Sequence, residues 1–266
     1  MIKAARKGIV GNGIETIKNL ANLLSSKNYR GSVIFTAEPT NDQRKMLEDI
    51  CPTKALFSIK ENNAMGLDNG KCIMCGYCNE VVSETIKISN KPVIPAKMKS
   101  QIIDYSNPQT FPSEKSYEQI GNELKEKIQK MFGRSLAIRQ VDAGSCNGCE
   151  IEITALNNPI YDIERFGIHF VASPRHADVL LVTGPASRNM ETALLRTYDA
   201  TPGPKIVIAV GACACSGGIF GDTYATTGGI DKVIPVDVYI PGCPPRPEVL
   251  IQGLLLAVNR MIINGK

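Results

Sequence analysis

The chain has 266 residues, of which 43% are hydrophobic and 21% charged, enough for two domains that each bury a core and unlike the composition of a disordered chain. Its formal net charge of +4 is too small to argue for nucleic acid as a partner. The longest apolar stretch, residues 249–263, is broken by Gln252, Asn259 and Arg260, and is too short and too polar to span a bilayer.

The charge is uneven. Residues 1–133 hold 19 Lys+Arg against 14 Asp+Glu, and residues 134–266 hold 11 against 12. A mildly basic first half suits an acidic partner, although a solvated surface would carry the same composition. Cysteine is more informative. There are nine, an odd number in a chain too long to need disulfide staples, and most are grouped: Cys72, Cys75 and Cys78; Cys146 and Cys149; Cys213 and Cys215. Such grouping suits metal chelation in a reducing compartment better than cross-linking. The opening MIKAARKGIV has no apolar run behind its charges, so no secretory signal is expected.

Along the chain, Ile14, Ile17, Leu20, Leu23 and Leu24 recur at helical spacing. The apolar run SVIFTA follows, then NDQRKMLEDICP and KCIMCGYC. Pro92, Pro95, Pro108 and Pro112 mark residues 90–113 as a linker without regular structure. Ser116, with Gln119 in capping-box position, starts an amphipathic helix whose Tyr117, Ile120, Leu124, Ile128 and Met131 share one face and which Gly133 stops. From residue 135 five short apolar runs alternate with helical segments: SLAIRQV, GIHFVA, DVLLVTG, KIVIAVG and VDVYIPG, with a last helix over 246–262. That alternation predicts an α/β domain built on a parallel sheet covered on both faces. Ligands of such sheets sit at the carboxyl ends of the strands. Cys146 and Cys149 fall after the first run, Cys213 after the fourth and Cys243 after the fifth, so four thiols distant in sequence should converge on one edge. Three units are expected: 1–90, a linker with its helix over 91–133, and 134–266.

The cysteines of the first unit can be laid on the C-x2-C-x2-C-x3-C-P pattern that two-cluster ferredoxins use twice, each run lending its fourth cysteine to the other run's cluster. Asn41, Arg44, Leu47 and Val82 then occupy the four ligand positions of one cluster, and Cys51, Cys72, Cys75 and Cys78 the four positions of the other. One complete ligand set is lost and the other complete set is kept. The expectation is a small α+β ferredoxin-like domain with one 4Fe–4S cluster. A structural zinc site is the competing reading, but zinc motifs usually come as two separated C-x-x-C pairs.

In the second unit SCNGCEIEI, ASPRHADVLLVTGPAS, VGACACSGGIFGD and VDVYIPGCPPRPEVLIQGLL occur in this order. Together they resemble the small subunit shared by energy-converting, membrane-bound NiFe hydrogenases and complex I, over nearly all of residues 136–262. The resemblance implies a flavodoxin-like domain carrying a 4Fe–4S cluster on Cys146, Cys149, Cys213 and Cys243. Asn147 and Gly148 separate the first two, which is the hydrogenase-type spacing; complex I members have adjacent cysteines there. Cys215 is read as a small buried hydrophobe, Glu152 as the acidic residue of the C-x-I-E segment, and His176 as a surface or subunit contact. Gly144, Gly148, Gly211 and Gly242 flank the cysteines, where the lack of a side chain lets backbone amides approach sulfur. The first half resembles the two-cluster ferredoxin subunit of the same complexes, here degenerate and fused.

No nickel-holding pair of terminal C-x-x-C motifs, nucleotide loop or nucleophile elbow is found in the sequence, so the chain is expected to lack a complete catalytic site. What the resemblance implies is an electron-relay subunit of an oxidoreductase complex, with two 4Fe–4S clusters and soluble ferredoxin as electron donor or acceptor. It also implies a catalytic large subunit containing nickel and iron, and the membrane subunits of a complex I-like or antiporter-like arm, with the chain peripheral on the cytoplasmic side of the cell membrane. The equivalent subunit of a quinone- or sulfur-reducing relative is a second reading, and a zinc-stabilised adaptor without a redox role a third.

Overall fold

A computed structural model describes residues 29–59, 64–105 and 117–264. The helix expected near Ile14–Leu24, the cap at Ser116, and Pro108 and Pro112 lie outside the described residues.

The first unit is small and mixed. Strand β1 (Ser32–Phe35) leads to helix α1 (Asn41–Ile50), followed by β2 (Leu56–Ser58), β3 (Met65–Asp68), α2 (Tyr77–Val81) and β4 (Ile86–Ser89). Thr40 starts α1 through a capping box. Its hydroxyl accepts from the Gln43 amide at 3.3 Å, and the Gln43 side chain accepts from the Thr40 amide at 2.9 Å. The helix ends at Cys51, where Pro52 cannot continue it. Strands β1 and β4 pair antiparallel, as do β2 and β3. Sheets this small cannot stand alone; they share one core of Val33, Phe35, Leu47, Leu56, Met65, Leu67, Val82 and Ile86.

Residues 90–113 are not irregular throughout. Between Pro95 and Pro108 the chain is free of proline and can pair. It forms a 3-10 turn (Lys99–Ile102) and strand β5 (Ile103–Tyr105), which joins β3 to give the order β2-β3-β5. Ala96 exchanges both backbone hydrogen bonds with Tyr239 at 2.9 and 2.8 Å, and Lys99 pairs with Asp231 at 3.0 Å. The stretch expected to be a loose tether is thus fastened to the second unit.

Helix α3 (Tyr117–Phe132) buries Ile120, Leu124 and Ile128 and stops at Gly133, whose φ is +62°. It packs against the last helix, α7 (Pro247–Asn264). Between them lie β6 (Leu136–Asp142), α4 (Gly148–Ala155), β7 (Ile168–Phe170), β8 (Val179–Thr183), α5 (Arg188–Ala200), β9 (Ile206–Val210), α6 (Gly211–Ser216) and β10 (Val238–Ile240). All five strands are parallel, in the order β10-β9-β8-β6-β7. Counted within the domain this is 2-1-3-4-5, the flavodoxin-like order, whose switch point lies between β6 and β8. Alternate residues feed two cores. Ile138, Leu181, Ile208 and Ile240 join the face covered by α3 and α7; Leu180, Val182, Val207 and Ala209 join the face covered by Leu194 of α5 and by α6. Burial on both faces explains why these strands read as unbroken apolar runs.

Candidate metal centres

Cys51, Cys72, Cys75 and Cys78 line one cleft of the first unit. Cys51 follows the end of α1, Cys72 and Cys75 lie on the loop after β3, and Cys78 sits in the first turn of α2. Met74 and Gly76 have φ of +54° and +89°, and these left-handed residues curl the loop so that its thiols face inward. Backbone amides attend the sulfurs: Ala55 donates to Cys51 Sγ at 3.2 Å, and those of Met74 and Asn79 lower the thiol pKa of Cys72 and Cys78. Burial and the neighbouring thiols nevertheless push Cys72 up to about 12 and Cys78 up to about 11.

The four positions that the ferredoxin pattern assigns to a second cluster hold side chains other than cysteine. Leu47 and Val82 are buried in the core of the first unit. Arg44 is buried with its Nε donating to the Pro39 carbonyl at 3.0 Å and its Nη2 paired with Glu38 at 3.3 Å. Asn41 opens α1. Three of these four positions, Arg44, Leu47 and Val82, are buried, and apart from the cleft of the four cysteines no second thiol-lined cleft is found in the described part of this unit.

The second set meets at the carboxyl edge of the parallel sheet. After β6, the Asp142 carboxylate accepts from the Gly144 and Ser145 amides at 2.8 and 2.7 Å, turning the chain outward. Asn147, with φ of +69°, then starts α4 and places Cys149 in its first turn. Cys213 lies in α6 and Cys243 just past β10; the Ala212 amide donates to the Gly242 carbonyl at 2.8 Å and ties those two loops together. Electrostatic coupling links each of the four thiols to the others. Burial first, then Glu150 and the neighbouring thiols, hold Cys149 far above the usual thiol range; burial and the thiols of Cys243 and Cys146 push Cys213 up to about 11. Burial and the Cys146 thiol raise Cys243 as well, so Cys149, Cys213 and Cys243 all resist ionisation; a cationic centre would complete such a site, because metal coordination removes the thiol protons.

Glycine makes room here. A Cβ on Gly211 would lie 2.5 Å from Cys149 Sγ, and one on Gly218 would lie 2.9 Å from Cys213 Sγ. Gly148 also adjoins a sulfur, whereas Gly144 backs onto Ser187 and Gly242 onto Pro245, so those two shape the loops rather than approach a thiol. Gly218 lies five residues beyond Cys213 and returns to it through the turn after α6.

Among the described residues no three of His, Cys, Asp or Glu converge closely enough to share a single ion. Tetrahedral zinc, with Zn–S bonds of about 2.3 Å, would bring its sulfurs to roughly 3.8 Å of one another. Cys51, Cys72, Cys75 and Cys78 instead border a cleft.

A second cleft lies between the units and touches both sites. Tyr29, Arg30, Ile73 and Met74 face Glu152, Cys243 and Arg246 across it, and Ile73 lines the thiol cleft of the first unit as well. The Glu152 carboxyl is held above its usual range by burial, an effect that Arg246 opposes. Arg246 forks onto Glu248, Nε and Nη2 each at 3.2 Å, and the Tyr161 hydroxyl donates to the same carboxylate at 3.0 Å. Glu248 is fully buried, and sequence reasoning misses this network; charged residues directly after the last cysteine in GCPPRPEV are its only signal. Cys215, by contrast, is fully buried in the core on the far face of the sheet, its Sγ 3.8 Å from the Ala209 carbonyl. Arg175 and His176 are exposed.

The model of the family described as NADH ubiquinone oxidoreductase, 20 kDa subunit, matches residues 146–257. The chain is 51% identical over 132 residues to a probable membrane-bound hydrogenase subunit of Pyrococcus furiosus, covering 50% of this chain and 79% of that one. It is 53% identical over 136 residues to formate hydrogenlyase subunit 7 of Escherichia coli, covering 51% of this chain and 53% of the relative, so it spans about half that relative's length. It is 50% identical over 125 residues to an NADH-quinone oxidoreductase subunit of Desulfovibrio desulfuricans, covering 47% of this chain and 67% of that one.

Proposed function

Because the chain belongs to the family of the 20 kDa subunit of NADH–ubiquinone oxidoreductase, we propose that it is the electron-relay small subunit of a membrane-bound, energy-converting NiFe hydrogenase. It carries electrons between ferredoxin and a separate catalytic large subunit through two 4Fe–4S clusters. The observation that carries this reading is the adjacency of two four-thiol sites: Cys51, Cys72, Cys75 and Cys78 on one side of Ile73, and Cys146, Cys149, Cys213 and Cys243 beyond the cleft that Ile73 also lines. Bound there, each cluster would supply a centre that accepts and releases one electron. The chain's own residues supply the rest. Eight thiolates fix position, apolar packing around Cys72 and Cys78 excludes water, and Gly211 and Gly218 keep the second site free of side-chain bulk. In the first unit the ligand spacing and the small α+β build support a ferredoxin-like domain that kept one site and packed over the other.

The Cys146-Asn147-Gly148-Cys149 spacing favours a hydrogenase over a quinone enzyme. A sulfur-reducing complex is separated from it by the large subunit, which in a hydrogenase carries both nickel-holding C-x-x-C motifs. Ile151, Ile219 and Phe220, apolar yet 63%, 52% and 44% exposed, flank Cys149 and Cys213 and offer the surface on which a catalytic subunit would dock. No described helix is long and apolar enough to cross a membrane; attachment to the cytoplasmic side of the membrane would come through the membrane subunits of the complex. The basic first unit suits an acidic ferredoxin. The test is anaerobic reconstitution of the full chain followed by iron and acid-labile sulfide analysis. About eight irons per chain are expected, four for each cubane; zinc in their place would sink the redox reading.

A further inference from the structure

We propose that Tyr29 and Arg30 are positioning residues that clamp the two cysteine loops together and so fix the spacing between the two redox sites. The inference rests on the two-cluster reading above. These consecutive residues, just ahead of β1, reach in two directions. The Arg30 guanidinium donates from Nη1 to the Cys75 carbonyl at 2.5 Å and lies against Gly76, where a Cβ would meet that nitrogen at 3.2 Å. The Tyr29 ring lies under the Arg246 guanidinium, 4.8 Å from its carbon, three residues past Cys243.

The far end of this clamp is anchored. Arg246 is gripped through two of its nitrogens by Glu248, a fully buried carboxylate that the Tyr161 hydroxyl also holds. A guanidinium fixed in plane is a flat, rigid surface for an aromatic ring. One end of the dipeptide is therefore set by the body of the second unit, and the other end grips the loop that carries Cys72, Cys75 and Cys78. Docking of the units as a whole does not depend on it. The Ala96–Tyr239 backbone pair and the Lys99–Asp231 ion pair tie the units elsewhere. Removing the clamp should let the first cysteine loop shift relative to Cys243 without separating the units, and electron exchange falls steeply with any added distance.

The test uses the full chain, loaded anaerobically and fully reduced, with iron content measured beside the electron paramagnetic resonance spectrum. In the parent, two adjacent paramagnetic centres are expected to split or broaden each other's signals. In the double variant Tyr29→Ala/Arg30→Ala, iron should stay at the parental level while that interaction is lost or clearly narrowed; Tyr29→Phe/Arg30→Lys, which keeps a ring and a cation, should retain it. An unchanged interaction in the double alanine variant overturns the clamp. So does loss of iron from that variant, because the residues would then support cluster binding itself, and so does a parent with two clusters and no interaction. A parent that takes up no iron sinks the two-cluster reading instead.

Discussion

The two thiol sites are built in opposite ways. The first draws three of its cysteines from seven consecutive residues, and three of its four members are buried within its own small unit. The second draws four from three loops spread over residues 146–243, and two of them, Cys146 and Cys243, are exposed. A short loop can wrap a group by itself, so the first site is closed by local chain geometry. The second is assembled by topology: parallel strands deliver their following loops to one edge, where Cys146 and Cys243 face outward. The difference teaches that the first site is self-contained, whereas the second is left open on the side where Ile151, Ile219 and Phe220 are exposed.

The largest effect that would break this comparison is on the route of electrons. If the first unit is the entry point, Cys75→Ser in the assembled complex should bring ferredoxin-driven turnover to background and spare turnover driven by a small dye that reaches the second site or the catalytic subunit directly. The second site's iron and spectrum must be shown intact, because losing a metal group can unfold its domain. Ferredoxin-driven turnover at the parental rate would mean that electrons bypass the first unit, which would then serve as packing alone.

Next in size is a loss of half the metal. Cys213→Ala should lower the reconstituted chain from about eight irons to about four and remove one of two reduced signals. Persistence of both signals would place the fourth ligand of the edge site elsewhere.

These expectations are legible in the sequence to different depths. The first site can be read from spacing, since C-x2-C-x2-C fixes sulfur positions closely whatever surrounds them. The strands can be read because a parallel sheet buried on both faces leaves unbroken apolar runs, and SLAIRQV through VDVYIPG form β6 to β10. The convergence of Cys146, Cys149, Cys213 and Cys243 follows from that topology. What cannot be read is long-range and polar. Prolines in residues 90–113 suggest a loose tether, yet β5 and Ala96 fasten this stretch, because pairing depends on a partner edge distant in sequence. The Tyr29–Arg246–Glu248 line joins residues more than 200 positions apart and has no periodicity to announce it. The spacing template marks Leu47 and Val82 from the sequence, but that they share one core with Val33 and Met65 is visible only in the structure.

A subtler effect sharpens the contrast between closed and open sites. When the isolated, loaded chain is challenged with an iron chelator, the edge site should bleach first, since Cys146 and Cys243 are exposed whereas Cys51, Cys72 and Cys78 are buried. In the assembled complex the catalytic subunit should cover that edge and the two rates should converge. Equal rates in the isolated chain would show that burial of the thiols does not govern access, and the distinction between a self-contained and a partner-completed site would fall.

The smallest expected effect concerns the ninth thiol. Cys215 lies two residues past Cys213 on α6, but helical geometry turns it away from the edge and into the core with Leu180, Val207 and Ala209. Burial holds its thiol far above the usual range, so it stays protonated and apolar in character. Cys215→Ala keeps the Cβ and removes one sulfur, leaving a void about the size of a methyl group at a cost of about 1 kcal/mol. Both reduced signals and the full iron complement should therefore survive, with a slightly lower midpoint of denaturant unfolding as the sole change. Cys215→Ser should cost more than Cys215→Ala, because it sets a hydroxyl where the sulfur met only a distant carbonyl at 3.8 Å. Iron analysis and denaturation of the two variants side by side check this order. Loss of a signal from Cys215→Ala with retention in Cys213→Ala would exchange the roles of the two thiols and require α6 to present its opposite face to the edge.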